Sequence, residues 1–411
     1  MARSPQWIAT DLDDDIASPG FFTGNRHLEV WREARRVQPI AWAESGEIGG
    51  FWSITNHAHG NYVLRHPRLF TSAQGMRLGA NPGGVRVAAN RMLVVSDGDV
   101  HRGLRSAHFP WFNGQAVSAL APELERVIDS ALRKILAQTR TVDVVTELAV
   151  KIPTWVLFEM MGVPEGDRAE LLQLTETAFD DSNDSTQALQ DRMLAHAEIL
   201  AYFSGLLPQR KASPGPDMVT SLAGACVQGR NLSDDEVILN CDGLVNGGLE
   251  TSPHAISGAI LAFAQHPAQW RKLKQDPGLI DTTVEEILRW TSPAMHAMRT
   301  AGTDTVIGPA QIREGDRLVI WLPSCNRDEN VFTDPDRFLI DRRANPHVCF
   351  GAGPHHCVAA LLARVELRCL VGALVRLVAD IEVIGQVARK PSNFLNGLTR
   401  LDVRMTAESG T

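Results

Sequence analysis

Over residues 100–290 the chain reads as a succession of amphipathic helical blocks, such as APELERVIDSALRKIL at 121–136, separated by short breakers such as KASPGPD at 211–217. Apolar positions recurring at helical spacing over so long a stretch demand a fold in which helices pack on helices. Strand-like composition is confined to the flanks. GFWSIT at 50–55 precedes the helical-looking NHAHGNYVLRHP, and DTVIGPAQIREGDRLVIWLP lies in the last third. A further helix reads from about Ala359, and a loop-rich tail ends in GLTRLDVRM. There is no repeat, no low-complexity tract, and KASPGPD is too short for a domain boundary. The expectation is a mainly α fold with small β-sheets, residues 1–411 forming one large domain although 411 residues would allow two or three.

Charge and cysteine usage narrow the function classes. Forty Lys and Arg against 48 Asp and Glu give a formal charge of −8, without the basic face that nucleic acid requires. Six cysteines in 411 residues make no disulfide framework and point to a reducing compartment. The opening MARSPQWIATDLDDDIASPG has no apolar targeting stretch. The most apolar run, 369–385, is broken by Arg376 and Asp380, short of the about 18 apolar residues a membrane span needs. A cytoplasmic protein without membrane or nucleic-acid partners is expected.

Two segments break local rules. In HVCFGAGPHHC, 347–357, Gly351, Gly353 and Pro354 prevent regular structure, and the helix-forming AALLARVELRCL follows Cys357. A cysteine at a helix N-terminus feels the positive end of the macrodipole, which favours thiolate. Upstream glycines let backbone amides turn toward the sulfur. The plain alternative is a buried cysteine in a turn, as Cys226, Cys241 and Cys369 would be in helices. A zinc site of His347, Cys349, His355 and Cys357 is a rival, but it lacks C-x-x-C or H-x-x-x-H spacing. One thiolate on an open cofactor fits the pattern better.

The second is the long helix expected over 233–264. Ser233 and Glu236 form a capping box at its start. Its interior holds Gly247, Gly248 and Pro253, costing roughly 1 kcal/mol per glycine and roughly 3 for the proline. Because proline frees the carbonyl of Leu249, a kink or widening centred on Glu250 and Thr251 is expected. Either the glycines let two helices pack closely, or the helix passes tightly over a flat ligand with Glu250 and Thr251 placed to relay protons.

Scattered bases complete the pattern. His101 and Arg105 share a helix face in HRGLR, Arg299 lies in the extended TSPAMHAMRT, and Glu286 and Arg289 are close enough to pair. Each alone reads as a solvated charge. Residues 72–91, rich in Gly, Asn and Ala without a steady period, read as a long loop of the kind that is usually functional or disordered.

Together these segments resemble one family. FGAGPHHC is similar to the F-G-x-G-x-H-x-C haem loop of the cytochrome P-450 family, GGLET to its A-G-x-[DE]-T, and EILR to its E-x-x-R. HRGLR resembles the bacterial H-x-R-x-R segment, and CNRDENVFTDPDRF the stretch before the haem loop. The matches are in family order from about residue 52 to the tail. The resemblance implies a single cytochrome P-450 fold with one b-type haem, Cys357 as the thiolate ligand of the iron, and Phe350 beside the sulfur. It implies that His101, Arg105, Arg299 and His355 bind the propionates and that Glu286, Arg289 and Arg342 form a structural charge triad. Glu250 and Thr251 would deliver protons to bound dioxygen. Departures are Ala359 where the family has glycine, Gly247 where it has alanine, and Pro253, which should enlarge the kink.

The implied activity is a haem-thiolate monooxygenase that hydroxylates or otherwise oxidises a C–H bond of a small molecule. No flavin or nicotinamide segment is present, since the Gly351 turn lacks a dinucleotide fingerprint. Electrons would come from NAD(P)H through a separate ferredoxin reductase and ferredoxin, with Arg364 and Arg368 as possible docking charges for an acidic partner. The 72–91 stretch corresponds to the family's variable substrate lid. By position Met76, Leu78, Val85, Met92, Leu244, Gly248, Ala294, Met295, Ala297 and Phe394 are candidate pocket residues, and Arg77, Arg86 and Arg91 could meet a polar or anionic substrate. The glycine pair suggests a roomy pocket and a bulky secondary metabolite, such as a polyketide, macrolactam or peptide. The alternative is a non-catalytic haem protein that serves as a recruitment partner in a biosynthetic assembly.

Overall fold

The computed structural model describes residues 16–24, 26–46, 48–138, 141–178 and 185–408. Most of the N-terminal stretch read above, residues 1–15, lies outside them. Helices dominate the middle of the chain, with small sheets formed from its two flanks.

The element that organises the core is the helix Asp234–Gln265. Its start is fixed reciprocally: Ser233 Oγ accepts from the Glu236 amide at 3.3 Å, and Glu236 accepts from the Ser233 amide at 2.8 Å. Arg230 grips the same carboxylate with two bonds of 2.6 Å, holding Glu236 down at about 2. The helix packs on Lys151–Met161, Thr186–Ala212 and Ile280–Thr291, and Val245, Ile256, Ile260 and Phe263 enter the main apolar cluster. It runs as one α-helix through Gly247, Gly248 and Pro253. Packing supplies the stabilisation that propensity withholds.

A five-stranded sheet lies to one side, in the order Ile40–Ala43, Phe51–Ile54, Arg317–Trp321, His296–Ala301, Phe70–Thr71. Only the pairing of Phe51–Ile54 with Arg317–Trp321 is parallel; the others are antiparallel. Alternation along these strands separates two cores. Leu318, Ile320 and Ala301 face a cluster that includes Val348 and Ala352 of the cysteine loop. Met298, Val319 and Trp321 face an aromatic cluster with Phe22 and Trp31.

Two local expectations are corrected. Residues 72–91 are not loop throughout, because Asn81 caps a short helix, Pro82–Ala88, by accepting from Gly83 and Gly84 amides. Proline at the first turn starts that helix without losing a hydrogen bond. Cys226 is exposed in the short strand Cys226–Val227, not in a helix, whereas Cys241 and Cys369 are buried in helices. The Gln228–Gly229 turn, with φ of 53° and 78°, folds that strand back on Arg230–Asn231 as a tight hairpin.

Candidate active site

The cysteine loop is built by its glycines. Gly351 and Gly353 have φ of 69° and 71°. A Cβ at Gly353 would meet Leu64 O at 2.6 Å and Arg65 Cα at 2.9 Å, so the loop lies against the end of the His57–Arg65 helix where only glycine fits. Backbone bonds then close the turn: Gly351 N to Val348 O at 2.9 Å, His356 N to Gly353 O at 3.0 Å, and Cys357 N to Phe350 O at 2.9 Å.

Cys357 is half-buried, and the amide of Ala359 hydrogen-bonds its sulfur. Burial nevertheless pushes the thiol above its ordinary value, against that amide and the guanidiniums of Arg105 and Arg364. The regular helix begins at Ala360, three residues after Cys357. Cys349 is buried beside it, and burial pushes its thiol up as well. Arg364 stacks 4.7 Å over the Phe350 ring and forks onto Glu285 at 2.6 and 2.9 Å, while Arg368 bonds Asp281 at 2.8 Å. Both arginines therefore have intramolecular acids.

The bases converge from three parts of the chain. His101 lies in the Gly98–Phe112 helix, only 3% exposed, and its ring stacks on His355. Burial, with His355 and Arg105 beside it, lowers His101 to about 4. Arg105, one turn on, donates to His356 O at 2.7 Å. Arg299 comes from the central sheet, 5% exposed, donates to Met298 O at 2.8 Å, and is lowered by burial to about 10.

Asp97, absent from the sequence reading, ties this group together. It stands where a helix N-cap would, yet its side chain makes no cap. Instead it accepts from Thr71 Oγ1 at 2.5 Å and Ser72 N at 2.8 Å and meets His355 Nε2 at 2.9 Å. These bonds outweigh burial and hold its carboxyl at about 2. In sequence an Asp before a helix signals only a cap, which hid the role.

Behind the loop, Glu286 and Arg289 are fully buried and joined by two bonds of 2.8 Å, and Arg342 adds a third to Glu286 at 3.0 Å. Arg289 also donates to the carbonyls of Asn326, Pro335 and Arg337. The triad pins the segment leading to the cysteine loop.

On the central helix, Thr251 Oγ1 donates to Gly247 O at 3.1 Å, leaving its lone pairs to accept. The two readings of the glycine pair divide: a Cβ at Gly248 would touch Leu157 at 3.4 Å, and one at Gly247 would meet nothing within 4 Å. Ser252 hydrogen-bonds Glu366, a buried carboxyl that burial raises to about 7 and that the sequence reading also missed. A carboxylate inside the apolar ALLARVELRCL helix is its only sequence signal. Of the candidate pocket residues, Met76, Val85, Met92, Leu244, Gly248, Ala294 and Ala297 keep partly exposed surface. Phe394 is buried, and Leu78 and Met295, each 1% exposed, are packed into the aromatic cluster with Trp31 and Trp321.

The zinc rival fails on geometry. His347 is turned to Glu285 at 3.1 Å and His355 to Asp97, and among the described residues no His, Cys, Asp and Glu group is arranged to hold a metal.

Comparison with known proteins shows the family. Residues 84–400 match the family model for Cytochrome P450. The chain is 35% identical to cytochrome P450 NovI of Streptomyces niveus, over 99% of this chain and 100% of that protein. It is 33% identical to linalool 8-monooxygenase of Pseudomonas putida, over 95% and 98%. The crystal structure of P450 OxyD, a protein involved in the biosynthesis of vancomycin-type antibiotics, superposes with a TM-score of 0.88 at 35% identity, covering 96% of this chain and 100% of that one. A mainly α fold with small sheets around a cysteine loop thus defines a haem-dependent oxidoreductase. The chain belongs to the cytochrome P450 family and is a P450 monooxygenase.

The residues present fit the family's haem iron. Arg299 is a buried cation with Asp97 the acid set against it, His355 meets the same carboxylate, and Arg105 and Arg299 both lie beside His101. One carboxylate among two arginines and two imidazole donors leaves N–H groups for further anionic oxygens, which two propionates would supply. No helix among the described residues is long and apolar enough to cross a membrane.

Proposed function

We propose that this monooxygenase oxidises a C–H bond of a bulky secondary metabolite, of polyketide, macrolactam or peptide type, within a biosynthetic pathway. Haem held through a cysteine thiolate supplies dioxygen activation, the thiolate favouring O–O cleavage. Cys357 would be the ligand to the iron, its sulfur accepting from the Ala359 amide, with Phe350 beside it in the loop. His101, Arg105, Arg299 and His355 hold the propionates. Glu286, Arg289 and Arg342 fix the backbone leading to the loop. Thr251 would supply a hydroxyl for proton delivery where the haem activates dioxygen, and Glu250 would pass protons to that hydroxyl from solvent. NAD(P)H electrons arrive through a ferredoxin reductase and a ferredoxin.

The observation that carries the substrate reading is the 35% identity, over 96% of this chain, to OxyD, a P450 involved in the biosynthesis of vancomycin-type antibiotics. Spectral titration of the haem-loaded protein with peptide and polyketide scaffolds, set against linalool, tests it. Spin-state shifts with the bulky compounds, and ¹⁸O from ¹⁸O₂ in their products, are expected. Turnover of linalool with no response to the bulky set would overturn it.

A further inference from the structure

The three arginines of the 72–91 segment are placed differently. Arg91 pairs with Asp235 at 2.8 Å, and Arg86 is exposed on the short helix. Arg77 has neither situation. Its Nε is buried without a hydrogen-bond partner, its guanidinium lies 5.0 Å from the centroid of the Phe394 ring, and no acid among the described residues pairs with it.

Its position is held from both sides. Met298 N donates to Met76 O at 2.8 Å, and Leu78 N donates to His296 Nε2 at 2.9 Å, so the residues flanking Arg77 are anchored to the His296–Ala301 strand. Phe394 is anchored to the same region, since its carbonyl accepts from Met295 N at 2.7 Å.

The charged surroundings of Arg77 are histidines. His296 accepts from Leu78 at Nε2 and donates from Nδ1 to Asn393 O at 2.8 Å, which fixes the neutral tautomer; burial lowers it to about 3. His196 is lowered by burial and then by Arg77. Arg77 is therefore a permanent positive charge facing neutral rings.

A half-buried guanidinium without a counter-ion is costly, and its planar fork matches an oxyanion in a bidentate fashion. Met76, Ala294 and Ala297, beside these anchors in the chain, keep partly exposed surface, so the charge sits next to apolar candidate pocket residues. We infer that Arg77 is a binding residue for an anionic oxygen group, a carboxylate or a phosphate, carried by the substrate. This rests on the monooxygenase reading and narrows its substrate class to acids or phosphate-bearing compounds. Phe394 holds the guanidinium plane and the two backbone anchors fix its height.

The test uses the haem-loaded enzyme and imidazole-terminated alkanoic acids of graded chain length, whose imidazole binds haem iron whatever the natural substrate is. Each acid is titrated beside its methyl ester and the matched phosphate monoester, reading the Soret shift. At one or more lengths the acid or the phosphate should bind about 10- to 100-fold tighter than the ester. Arg77→Ala should abolish that preference with ester binding nearly unchanged, and Arg77→Lys should restore part of it. A phosphate preference would assign the anion to a phosphate-bearing tether, and a carboxylate preference to a free acid. Esters binding as tightly as both anions at every length, or a preference that survives Arg77→Ala, would overturn the inference. If Arg77→Ala does not fold, the wild-type comparison and Arg77→Lys still decide. Absence of any Soret shift would instead sink the haem-enzyme reading.

Discussion

The imidazoles of His101 and His355 stack with centroids 4.0 Å apart, and His355 Nε2 lies 2.9 Å from Asp97 Oδ1. One ring comes from the helix after Asp97 and the other from the turn before Cys357, so this contact joins that helix to the cysteine loop. Two protonated rings at that distance would repel. Burial lowers His101 to about 4, which keeps its ring neutral.

This neutrality has a pH consequence. An unfolded His101 takes up its proton as pH falls below its ordinary value of 6.5, while the folded one waits until about 4. Stability is therefore full above 6.5 and is lost as pH falls toward 4. His27, His254 and His296 follow the same sign, lowered by burial to about 4, 3 and 3. Asp97, held at about 2, loses its contribution only below its ordinary 3.8. Urea unfolding should show stability falling between pH 6.5 and 5, and His101→Asn should flatten the slope by about 1 kcal/mol per pH unit. An unchanged slope in that variant would contradict the assignment.

Glu286 is the hinge of the triad. With Glu286 and Arg289 both 0% exposed, Glu286→Ala leaves a guanidinium buried without its carboxylate. A loss of about 3–5 kcal/mol and poor haem retention are expected. Glu285→Ala, whose carboxylate is 31% exposed, should cost far less. Equal losses in chemical denaturation would show that burial of the triad is not what matters.

Two glycine substitutions should act in opposite directions. Gly353→Ala forces a Cβ onto Leu64 O in a loop with φ of 71°, and the variant should lose haem and the folded cysteine loop. Gly247→Ala meets nothing and relieves a helix interior, so a gain of up to about 1 kcal/mol is expected in thermal unfolding. Tolerance at Gly353 would refute the close approach to the His57–Arg65 helix.

Much of this was legible in the chain. Helical periodicity over 100–290 and the Ser233–Glu236 box mark the core helix because they are local signals. The pairing of Glu286 with Arg289 is likewise a spacing on one helix. What escaped depends on tertiary contacts: Asp97 gives up a cap to serve residues 71–73 and His355, and Glu366 meets Ser252 across two helices. Cys226 was misread because its hairpin depends on the left-handed Gln228–Gly229 turn.

Thr251 tests the proton route. Thr251→Ala removes the hydroxyl now bonded to Gly247 O without disturbing the apolar core. Product formed per NAD(P)H consumed should fall about tenfold or more, with peroxide rising in its place. Unchanged coupling would remove Thr251 from the relay.

The central claim is that Cys357, and not the neighbouring Cys349, binds the iron as thiolate. The carbon monoxide difference spectrum of the dithionite-reduced protein tests this directly, compared across wild type, Cys349→Ser and Cys357→Ser. A strongly red-shifted Soret band in the first two and its loss in Cys357→Ser is the predicted result. A wild-type band at the imidazole-ligated position, or a red-shifted band surviving in Cys357→Ser, would contradict it.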